Sequence, residues 1–392
     1  MLFQILHRAS CSRARIGLLQ TSHGGVETPA FLPLATKGAV KALLPEDLKA
    51  IGVQILMANA YHLYLQPGPE AIALAGGLHA FMGWDGPIVT DSGGFQVFSM
   101  WHGRVSDEIK GRRSFPDEGR EAAVLKVSEE GVLFRSYLDG SLHPFSPEKS
   151  MEIQHALGSD IALVLDECTP YHATYEYTKQ SMERTHRWAL RCLKAHERSG
   201  ANDWQALFGI VQGGVHRDLR EGSARFIASL PFDGVCIGGS LGKDKEEMFQ
   251  VVEWVIPYLP EEKPRHLLGI GEPDDLVEGM SRGIDLFDCA FPTRLARHGM
   301  LLVKGMPRLR MDVTKRSYAW DFGPPDPSCT CPTCRRFSRA YLHHLFKAGE
   351  LVGIRLATLH NVAWMIQLLE EIRRSIQEGR FSEWKQGFRE AP

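Results

Sequence analysis

Eight short apolar runs recur between Phe31 and Phe291, and stretches with helical periodicity separate most of them. The runs read FLPLA, GVQILMAN, PIVTDSG, IALVLDE, ALFGIVQGG, GVCIGG, HLLGIG and IDLFDCAF. Buried parallel strands joined by helices have this pattern, and eight of them close a (β/α)₈ TIM barrel. A doubly wound open sheet is the alternative α/β fold. We predict the barrel, because an open sheet concentrates its polar ligands at one switch point.

Four of these runs end in side chains suited to acid–base or hydrogen-bonding chemistry, namely Asp91, Asp166, Gln212 and Asp288. Active sites of (β/α)₈ barrels are built at the C-terminal ends of the strands, so we expect the four to share one site. A single aspartate after a strand often only caps the next helix. Two carboxylates facing one cavity, however, fit glycosyl transfer through a covalent intermediate, in which the pair lies about 5 Å apart.

The composition is that of an ordinary folded chain. Of 392 residues, 44% are hydrophobic and 23% are charged, and the formal net charge is −2, so contact with nucleic acid needs a local basic patch. No run approaches the roughly 18 apolar residues of a membrane span, so we expect no membrane partner. Eight cysteines without an apolar leader predict a reducing compartment, the cytoplasm. The arginine-bearing N-terminus weakly resembles a transit peptide, but LFQILHRAS and ARIGLLQTSHG favour strands.

Two stretches interrupt the alternation of strands and helices. Residues 97–140 form a long charged link, and its second half, EEGVLFRSYLDGS, predicts a hairpin inserted on the catalytic face. From residue 300 the chain is basic and turn-rich, and it leads through a cysteine cluster into two helical stretches, RFSRAYLHHLFKAG and HNVAWMIQLLEEIRRSI. We therefore predict a barrel over residues 1–299 that carries this insertion, and a subdomain over residues 300–392 packed on it.

The cysteine cluster PSCTCPTC holds Cys329, Cys331 and Cys334. An odd triplet cannot pair internally as disulfides, whereas thiolates at this spacing suit a tetrahedral zinc ion. The fourth ligand must come from elsewhere, and the candidates are His343, His344 and His360. His360 is favoured by its place at the start of a helix. Four protein ligands leave no position for water, so the predicted Zn²⁺ is structural.

Seven motifs occur together in one order: DSGGFQ, DECTPY, VQGG, IGG, GIGEP, FDCAFPTR and CTCPTC with a later TLHN. Over nearly the whole chain they resemble the tRNA-guanine transglycosylase family, the queuine tRNA-ribosyltransferases. The resemblance implies an irregular (β/α)₈ barrel with a zinc subdomain on Cys329, Cys331, Cys334 and His360. It implies a homodimeric pentosyltransferase that exchanges guanine at the wobble position of tRNAs with a GUN anticodon for a free 7-deazaguanine base. Those are the tRNAs for aspartate, asparagine, histidine and tyrosine.

The resemblance also implies a role for each strand-end residue. Asp288 is the nucleophile that attacks the anomeric carbon of the ribose, and Asp91 is the general acid/base for the departing and arriving bases. Asp166 accepts hydrogen bonds from the N1–H and exocyclic amine of the base. Gln212 and the backbone of Gly239 bind the edge of the base that carries the oxygen at position six. The rest of the base pocket is expected to comprise Ser92, Gly93, Gly94, Phe95, Gly238 and Gly242, with Phe95 available for stacking.

Two segments are expected to contact RNA. The first is GIGEPDD, namely Gly269, Ile270, Gly271, Glu272, Pro273, Asp274 and Asp275. The second is TRLAR, namely Thr293, Arg294, Leu295, Ala296 and Arg297. It opens a basic stretch that continues to Arg316, at a position on the barrel where phosphate sites commonly form. A second basic cluster, KGRR at residues 110–113, has no predicted role.

One departure from the family pattern bears on the free base. Members that use 7-aminomethyl-7-deazaguanine typically read GGLAVGE where this chain reads GGSLGKD. Gly242 stands in place of a branched residue and Asp244 in place of a glutamate, which predicts room at the seven position for the larger base queuine. Cys168 matches the bacterial pattern, so 7-aminomethyl-7-deazaguanine remains the second candidate.

A non-catalytic accessory subunit of the same family and a zinc-stabilised tRNA-binding protein are the alternative functions. Retention of both Asp91 and Asp288 argues against the accessory subunit, and four polar strand ends argue against a plain binding protein. Archaeal-type enzymes of the family carry an extra C-terminal RNA-binding domain, for which we expect a chain ending at Pro392 to be too short.

Overall fold

The computed structural model describes residues 2–101, 124–239 and 241–390. The strands, in chain order, are β1 (Leu2–Arg8), β2 (Arg15–Thr21), β3 (Gly24–Thr28), β4 (Ala30–Ala35), β5 (Leu56–Ala58), β6 (Ile88–Thr90), β7 (Val124–Val127), β8 (Val132–Arg135), β9 (Leu142–Phe145), β10 (Ile161–Leu163), β11 (Ala206–Val211), β12 (Gly234–Ile237), β13 (Arg265–Leu267), β14 (Leu286–Cys289), β15 (Met300–Leu302) and β16 (Arg310–Asp312).

The α-helices of the described residues are α1 (Pro45–Ala50), α2 (Ala60–Leu65), α3 (Pro69–Leu74), α4 (Gly77–Met82), α5 (Gly94–Trp101), α6 (Pro147–Leu157), α7 (Tyr175–Ser199), α8 (Arg217–Ala228), α9 (Lys245–Val255), α10 (Pro273–Ser281), α11 (Phe291–Arg297), α12 (Pro332–Arg336), α13 (Arg339–Ala348), α14 (Leu351–Gln377) and α15 (Phe381–Glu390). Short 3₁₀ turns lie at Ala201–Asp203, Ile256–Tyr258, Pro307–Leu309 and Arg316–Tyr318. Several helices begin and end as the sequence dictates. For example, the Thr174 side chain accepts a hydrogen bond from the Tyr177 backbone at the start of α7, and Gly200 ends that helix in the left-handed conformation.

Eight parallel strands form a closed barrel in the order β4, β5, β6, β10, β11, β12, β13 and β14, and β14 pairs back with β4. Six of these strands lie within a predicted run, and β4 and β13 each begin one residue before theirs. The strands are short and almost wholly buried, and β11 is buried along its entire length. Such continuous apolar runs are typical of parallel strands covered on both faces. The predicted (β/α)₈ barrel is confirmed, and the open sheet is excluded.

An antiparallel sheet of β1, β2 and β3 precedes the barrel, as the alternating N-terminal sequence predicts. Its buried Arg15 donates to both carboxylate oxygens of Asp285, at 2.8 and 2.6 Å. Asp285 immediately precedes β14, so this sheet lies against the N-terminal end of the barrel. None of the helices in the described ranges is both long and apolar enough to span a membrane.

The insertion after β6 forms a sheet of β7, β8 and β9. The stretch predicted as a hairpin, residues 129–141, contains β8 and the turns on either side of it, whereas β7 precedes the stretch and β9 follows it, beyond the predicted end at residue 140. Asp139 produces the second reversal, because its side chain accepts hydrogen bonds from the backbone and hydroxyl of Ser141. The Phe134 ring lies 5.2 Å from that of Tyr61 on α2, which follows the C-terminal end of β5. The sheet therefore lies on the catalytic side. The KGRR cluster at residues 110–113 lies outside the described residues.

The C-terminal part packs directly on the barrel. Helix α14 contacts α11 and the barrel strand β4, and its buried face belongs to the same apolar core as the barrel strands. A smaller core beside it joins β15, β16 and the C-terminal helices through Leu301, Met311 and Leu342. The boundary predicted between residues 299 and 300 stays a prediction.

Candidate active site

Three aspartates lie at the C-terminal ends of barrel strands. Asp91 directly follows β6, Asp166 lies three residues beyond β10, and Asp288 is on β14. Their charges act on each other and on common neighbours. The negative charge of Asp288 contributes to raising the pKa of Asp91, behind burial as the main cause. Burial raises the pKa of the Cys236 thiol on β12, and Asp288 and Asp166 raise it further. The carboxylates predicted to share a site therefore converge on one mouth of the barrel.

The Asp91 carboxylate is held by neutral donors. Its Oδ1 accepts hydrogen bonds from the backbone N–H groups of Ala60 at 2.9 Å and Gly93 at 3.2 Å. The side-chain amide of Asn59 donates to Oδ2. Burial raises the pKa of Asp91 to about 7 despite these bonds, because none of these three donors carries a positive charge that would balance the carboxylate. The group can therefore both give and accept a proton near neutral pH.

The DSGG turn brings its backbone close to neighbouring elements. A Cβ atom on Gly94 would lie 2.7 Å from the backbone oxygen of Asp166, so only glycine permits this approach. Gly93 has a φ of 80°, and a Cβ there would meet the backbone and Cβ of Tyr61 at 3.2 Å. Phe95, at the start of α5, is 40% exposed and leaves a ring face accessible to a ligand. The turn thus lines the mouth with backbone groups and one aromatic ring.

Asp166 and Gln212 form a buried pair across neighbouring strands. The Gln212 amide donates to Asp166 Oδ2 at 2.5 Å, and the Ser92 hydroxyl lies 3.5 Å from Oδ1. Burial raises the pKa of Asp166 to about 6, and the bond from Gln212 opposes that rise. A Cβ on Gly239 would lie 2.1 Å from Gln212 Oε1, so the glycine makes room for this amide. Gln212 Oε1 is buried and has no hydrogen-bond partner in the described part of the chain.

Asp288 is buried, with 7% of its surface exposed. Its Oδ1 accepts hydrogen bonds from His266 Nε2 at 2.9 Å and from the Gly269 backbone N–H at 3.1 Å. Sequence reasoning missed His266 and Asn59. The sequence did contain a signal for each, because His266 is a polar residue in the predicted strand run HLLGIG and Asn59 is one in the run GVQILMAN.

A second cluster joins Cys329, Cys331, Cys334 and His360. All four side chains are buried, and their ligand atoms lie within 4.8 Å of one another. His360 Nδ1 lies 3.1 Å from Cys334 Sγ and 3.5 Å from Cys331 Sγ, close to the roughly 3.5 Å expected for a sulfur and a nitrogen on one tetrahedral metal ion. His360 Nε2 donates to the Leu302 carbonyl at 2.7 Å, which leaves Nδ1 free to bind a metal. The donor set fits one metal ion.

The two other histidines considered for this cluster lie elsewhere. His343 Nδ1 bonds to the Val313 carbonyl at 2.9 Å, and His344 is exposed on α13. Sequence reasoning favoured His360 because it was expected to begin a helix, whereas the structure places it inside α14, which begins at Leu351. The structure selects His360.

Comparisons with known proteins agree with this geometry. The family model described as queuine tRNA-ribosyltransferase matches residues 10–391. The chain is 53% identical over 389 residues to the queuine tRNA-ribosyltransferase of Roseiflexus sp. (strain RS-1), covering 97% of both chains. It is 50% identical over 387 residues to that of Pelotomaculum thermopropionicum, covering 98% of this chain and 97% of the relative. The chain belongs to the queuine tRNA-ribosyltransferase family. The predicted membership in this family of pentosyltransferase enzymes is confirmed.

In this queuine tRNA-ribosyltransferase family member, the first segment predicted to contact RNA, residues 269–275, is acidic, and its carboxylates form ion pairs. Lys245 Nζ lies 2.8 Å from the buried Asp275, 3.3 Å from Asp274 and 3.4 Å from Glu272. Arg310 also pairs with Glu272, at 3.2 Å. Two cations thus offset part of the charge of these three carboxylates, which reduces their repulsion of a phosphate backbone.

The second RNA segment presents only its arginines. Thr293 and Ala296 are buried, and Leu295 is half-buried, because α11 packs them against α14 and β15. Arg294 and Arg297 are exposed. Of the side chains predicted to contact RNA in this segment, those of Arg294 and Arg297 are the exposed ones.

The residues that set the expected base preference have local structural roles. Gly242 has a φ of 121°, and a Cβ there would lie 2.8 Å from the side chain of Glu247. Asp244 caps α9 by accepting a hydrogen bond from the Glu247 backbone at 2.9 Å. The space beside Gly242 is filled by Glu247, so the missing side chain does not by itself open a pocket for a larger base.

Proposed function

We propose that this family member exchanges guanine at the wobble position of tRNAs with a GUN anticodon for a 7-deazaguanine base by double displacement. The observation that carries the proposal is the pair of aspartates at one mouth of the barrel, close enough for the charge of Asp288 to raise the pKa of Asp91. Two carboxylates in different environments divide the roles of nucleophile and proton carrier.

In the first displacement, an Asp288 carboxylate oxygen attacks C1′ of the ribose. The C1′–N9 bond to guanine breaks as the new C1′–O bond forms, and Asp91 gives its proton to the departing base. A pKa of about 7 allows Asp91 to enter this step protonated near neutral pH. The covalent intermediate keeps the ribose activated, so no separate energy source is needed.

In the second displacement, Asp91 takes the N9 proton of the incoming 7-deazaguanine. N9 then attacks C1′, the C1′–O bond breaks, and Asp288 leaves as a carboxylate. One N-glycosidic bond has replaced another, and Asp91 has regained its proton. The cycle therefore closes without a cosubstrate.

Recognition of the base falls to Asp166 and Gln212. Asp166 would accept hydrogen bonds from N1–H and the exocyclic amine, an edge that adenine lacks. Gln212 and the Gly239 backbone would serve the six-position oxygen, with Ser92, Gly93, Gly94, Phe95, Gly238 and Gly242 completing the pocket. A site whose buried polar groups would otherwise be unpaired rejects the wrong base by roughly 10⁴-fold or more. The exposed Arg294 and Arg297 would bind the tRNA backbone.

Queuine is the proposed free base and 7-aminomethyl-7-deazaguanine the second candidate. This preference rests on the GGSLGKD sequence alone. The homodimer and the cytoplasmic location also stay predictions. The target base must leave the anticodon loop, which costs a few kcal/mol at most.

Zinc is the proposed metal for Cys329, Cys331, Cys334 and His360. Three thiolates and an imidazole are ligands that zinc prefers, and a full set of four makes the ion structural. Metal analysis of the purified protein should find one zinc per chain, and Cys331→Ser should lower both the zinc content and the thermal stability. A full complement of a different metal in the native protein would contradict the assignment.

The proposed reaction predicts a covalent tRNA adduct. The native chain, incubated with a GUN-anticodon tRNA, should yield a band of protein plus RNA on a denaturing gel, and Asp288→Ala should not. A tRNA whose anticodon carries adenine at the wobble position is the matched substrate control and should give no band. Absence of the adduct from the native chain, with no exchange of labelled guanine, would refute the function.

A further inference from the structure

The two carboxylate oxygens of Asp288 differ in the hydrogen bonds that they accept. Both bonds that reach this carboxylate, from His266 Nε2 and the Gly269 N–H, end on Oδ1. In the described parts of the chain no hydrogen bond ends on Oδ2. An oxygen with two donors is fixed in place and has lone pairs already engaged, whereas its partner is free to form a new bond.

His266 has only one protonation form that suits its surroundings. The ring is fully buried, and its Nδ1 has no hydrogen-bond partner in the described chain. Because Nε2 faces a carboxylate oxygen, the proton must lie on Nε2. An imidazolium would place a second N–H, on Nδ1, in a buried position without an acceptor. His266 is therefore a neutral donor with a fixed direction.

We propose that His266 is a positioning residue that holds Oδ1 of Asp288, directs Oδ2 to the ribose as the attacking atom, and stabilises the carboxylate when it is released. The inference rests on the proposed function and deepens it. When Oδ2 bonds to C1′, Oδ1 becomes the carbonyl oxygen of an ester and keeps its two donors. When the ester is displaced, the electron pair of the C1′–O bond returns to the carboxylate.

The direction of the effect follows from the strength of these bonds. A hydrogen bond to a charged carboxylate is stronger than one to a neutral ester carbonyl. His266 therefore favours the free carboxylate over the covalent intermediate, and it promotes the second displacement. Its removal should make the intermediate accumulate, whereas a variant with a merely damaged site would form less of it.

The test measures how much free guanine discharges the covalent adduct. His266→Gln keeps an amide N–H near the position of Nε2, and His266→Leu removes the donor at similar volume. The guanine concentration that halves the adduct band should rise roughly tenfold in His266→Leu and stay near the native value in His266→Gln. In His266→Leu the kcat and the KM for tRNA should fall together, because a slower second displacement keeps more of the enzyme in the covalent form, and both should stay near native in His266→Gln. His266→Asn, which is too short to reach Oδ1, should behave as His266→Leu and serves if the leucine variant does not fold.

Several outcomes would overturn the inference. Discharge of the His266→Leu adduct at the native guanine concentration would show that the donor does not act on the carboxylate. Equal behaviour of the glutamine and leucine variants would show that the ring only fills space. Failure of the native protein to form any adduct would instead refute the proposed function, so the two failures are distinguishable.

Discussion

The two ends of the barrel use buried aspartates in opposite ways. Asp285 precedes β14 and is paired with Arg15 through both oxygens, and Oδ2 also accepts from the Arg265 backbone N–H at 2.8 Å. Asp288, three residues later in the same segment, accepts hydrogen bonds from neutral donors, and within the described ranges these bonds reach one oxygen only. The first carboxylate is saturated and stabilises the fold. The second is left able to react.

The same contrast appears on either side of β10. Asp160, before the strand, is bonded to His79 and His23 and to the Ile88 backbone N–H, at 3.1, 2.8 and 2.9 Å. Although burial opposes them, these bonds hold the pKa of Asp160 below its ordinary value. Burial raises the pKa of Asp166, beyond the strand, to about 6. Carboxylates of the N-terminal end thus contribute stability, and those of the C-terminal end are kept for chemistry.

The largest expected effect is loss of activity at the C-terminal end. Asp288→Asn should lower the rate of base exchange by roughly 10⁴-fold or more, because the nucleophile of a covalent mechanism is removed. The variant should fold normally, since no lysine or arginine in the part of the chain that the structure describes pairs with Asp288. Exchange of labelled guanine into tRNA measures the rate, and circular dichroism checks the fold. If Asp288→Asn retained a tenth of the native activity, Asp288 would not be the reactive carboxylate that distinguishes the C-terminal end of the barrel from the N-terminal end.

The matched change at the N-terminal end should act on stability. Asp285→Asn leaves the buried Arg15 without its counter-charge, which should cost about 3–5 kcal/mol of unfolding free energy. The specific activity of the folded fraction should stay native. Urea unfolding measures the first quantity, and exchange assays corrected for the folded fraction measure the second. Native-like stability of Asp285→Asn would contradict the assigned role.

The two ends should also differ in the pH dependence of stability. Asp91 has a folded pKa of about 7 against an ordinary value of 3.8, so the folded state binds more protons between these values. Its contribution is full below about pH 4 and is lost as pH rises through 7. Asp91→Asn should therefore be more stable than the native chain at pH 8, by a few kcal/mol at most.

For Asp160 the sign is reversed. Its pKa is lowered, so its contribution is present above the ordinary value of 3.8 and disappears as the pH falls through the folded value. Asp160→Asn should lower stability at pH 8, and this loss should shrink as the pH falls below 3.8. Urea unfolding of both variants over this pH range checks the two signs. If the stabilities of both variants, relative to the native chain, changed with pH in the same direction, the proposed difference between Asp91 and Asp160 would be contradicted.

The smallest effect concerns the choice of free base at the C-terminal end. We expect a preference of roughly tenfold for queuine over 7-aminomethyl-7-deazaguanine, the scale of a difference in pocket fit. Initial rates of incorporation with each base into the same tRNA measure it. Because Glu247 occupies the space beside Gly242, a preference for the aminomethyl base would show that the GGSLGKD sequence does not determine the pocket.

The sequence predicted the barrel well, because eight buried parallel strands produce eight apolar runs that local reading detects. It also identified Asp91, Asp166, Gln212 and Asp288, since each follows or ends such a run. It could not assign the partners of these residues. The donors to Asp288 come from β13 and the loop after it, and those to Asp91 are Asn59 and Ala60, which follow β5, and Gly93 in the turn after β6. Pairings of this kind depend on which strands become neighbours, and periodicity along one strand does not carry that information.

The interpretation of Gly242 depends on the same kind of information. A glycine in place of a branched residue suggested free volume, but its backbone has a left-handed φ and its open side faces Glu247. Whether a missing side chain opens a pocket depends on the direction in which its Cβ would point. That direction is a property of the folded loop.

The central claim is that one carboxylate at the C-terminal mouth becomes bonded to the ribose while its counterpart at the N-terminal end never does. Peptide mapping of the trapped adduct by mass spectrometry tests it most directly. After digestion of protein and RNA, the nucleotide mass should be found on Asp288 alone. Attachment to Asp91 or Asp166 would contradict the account.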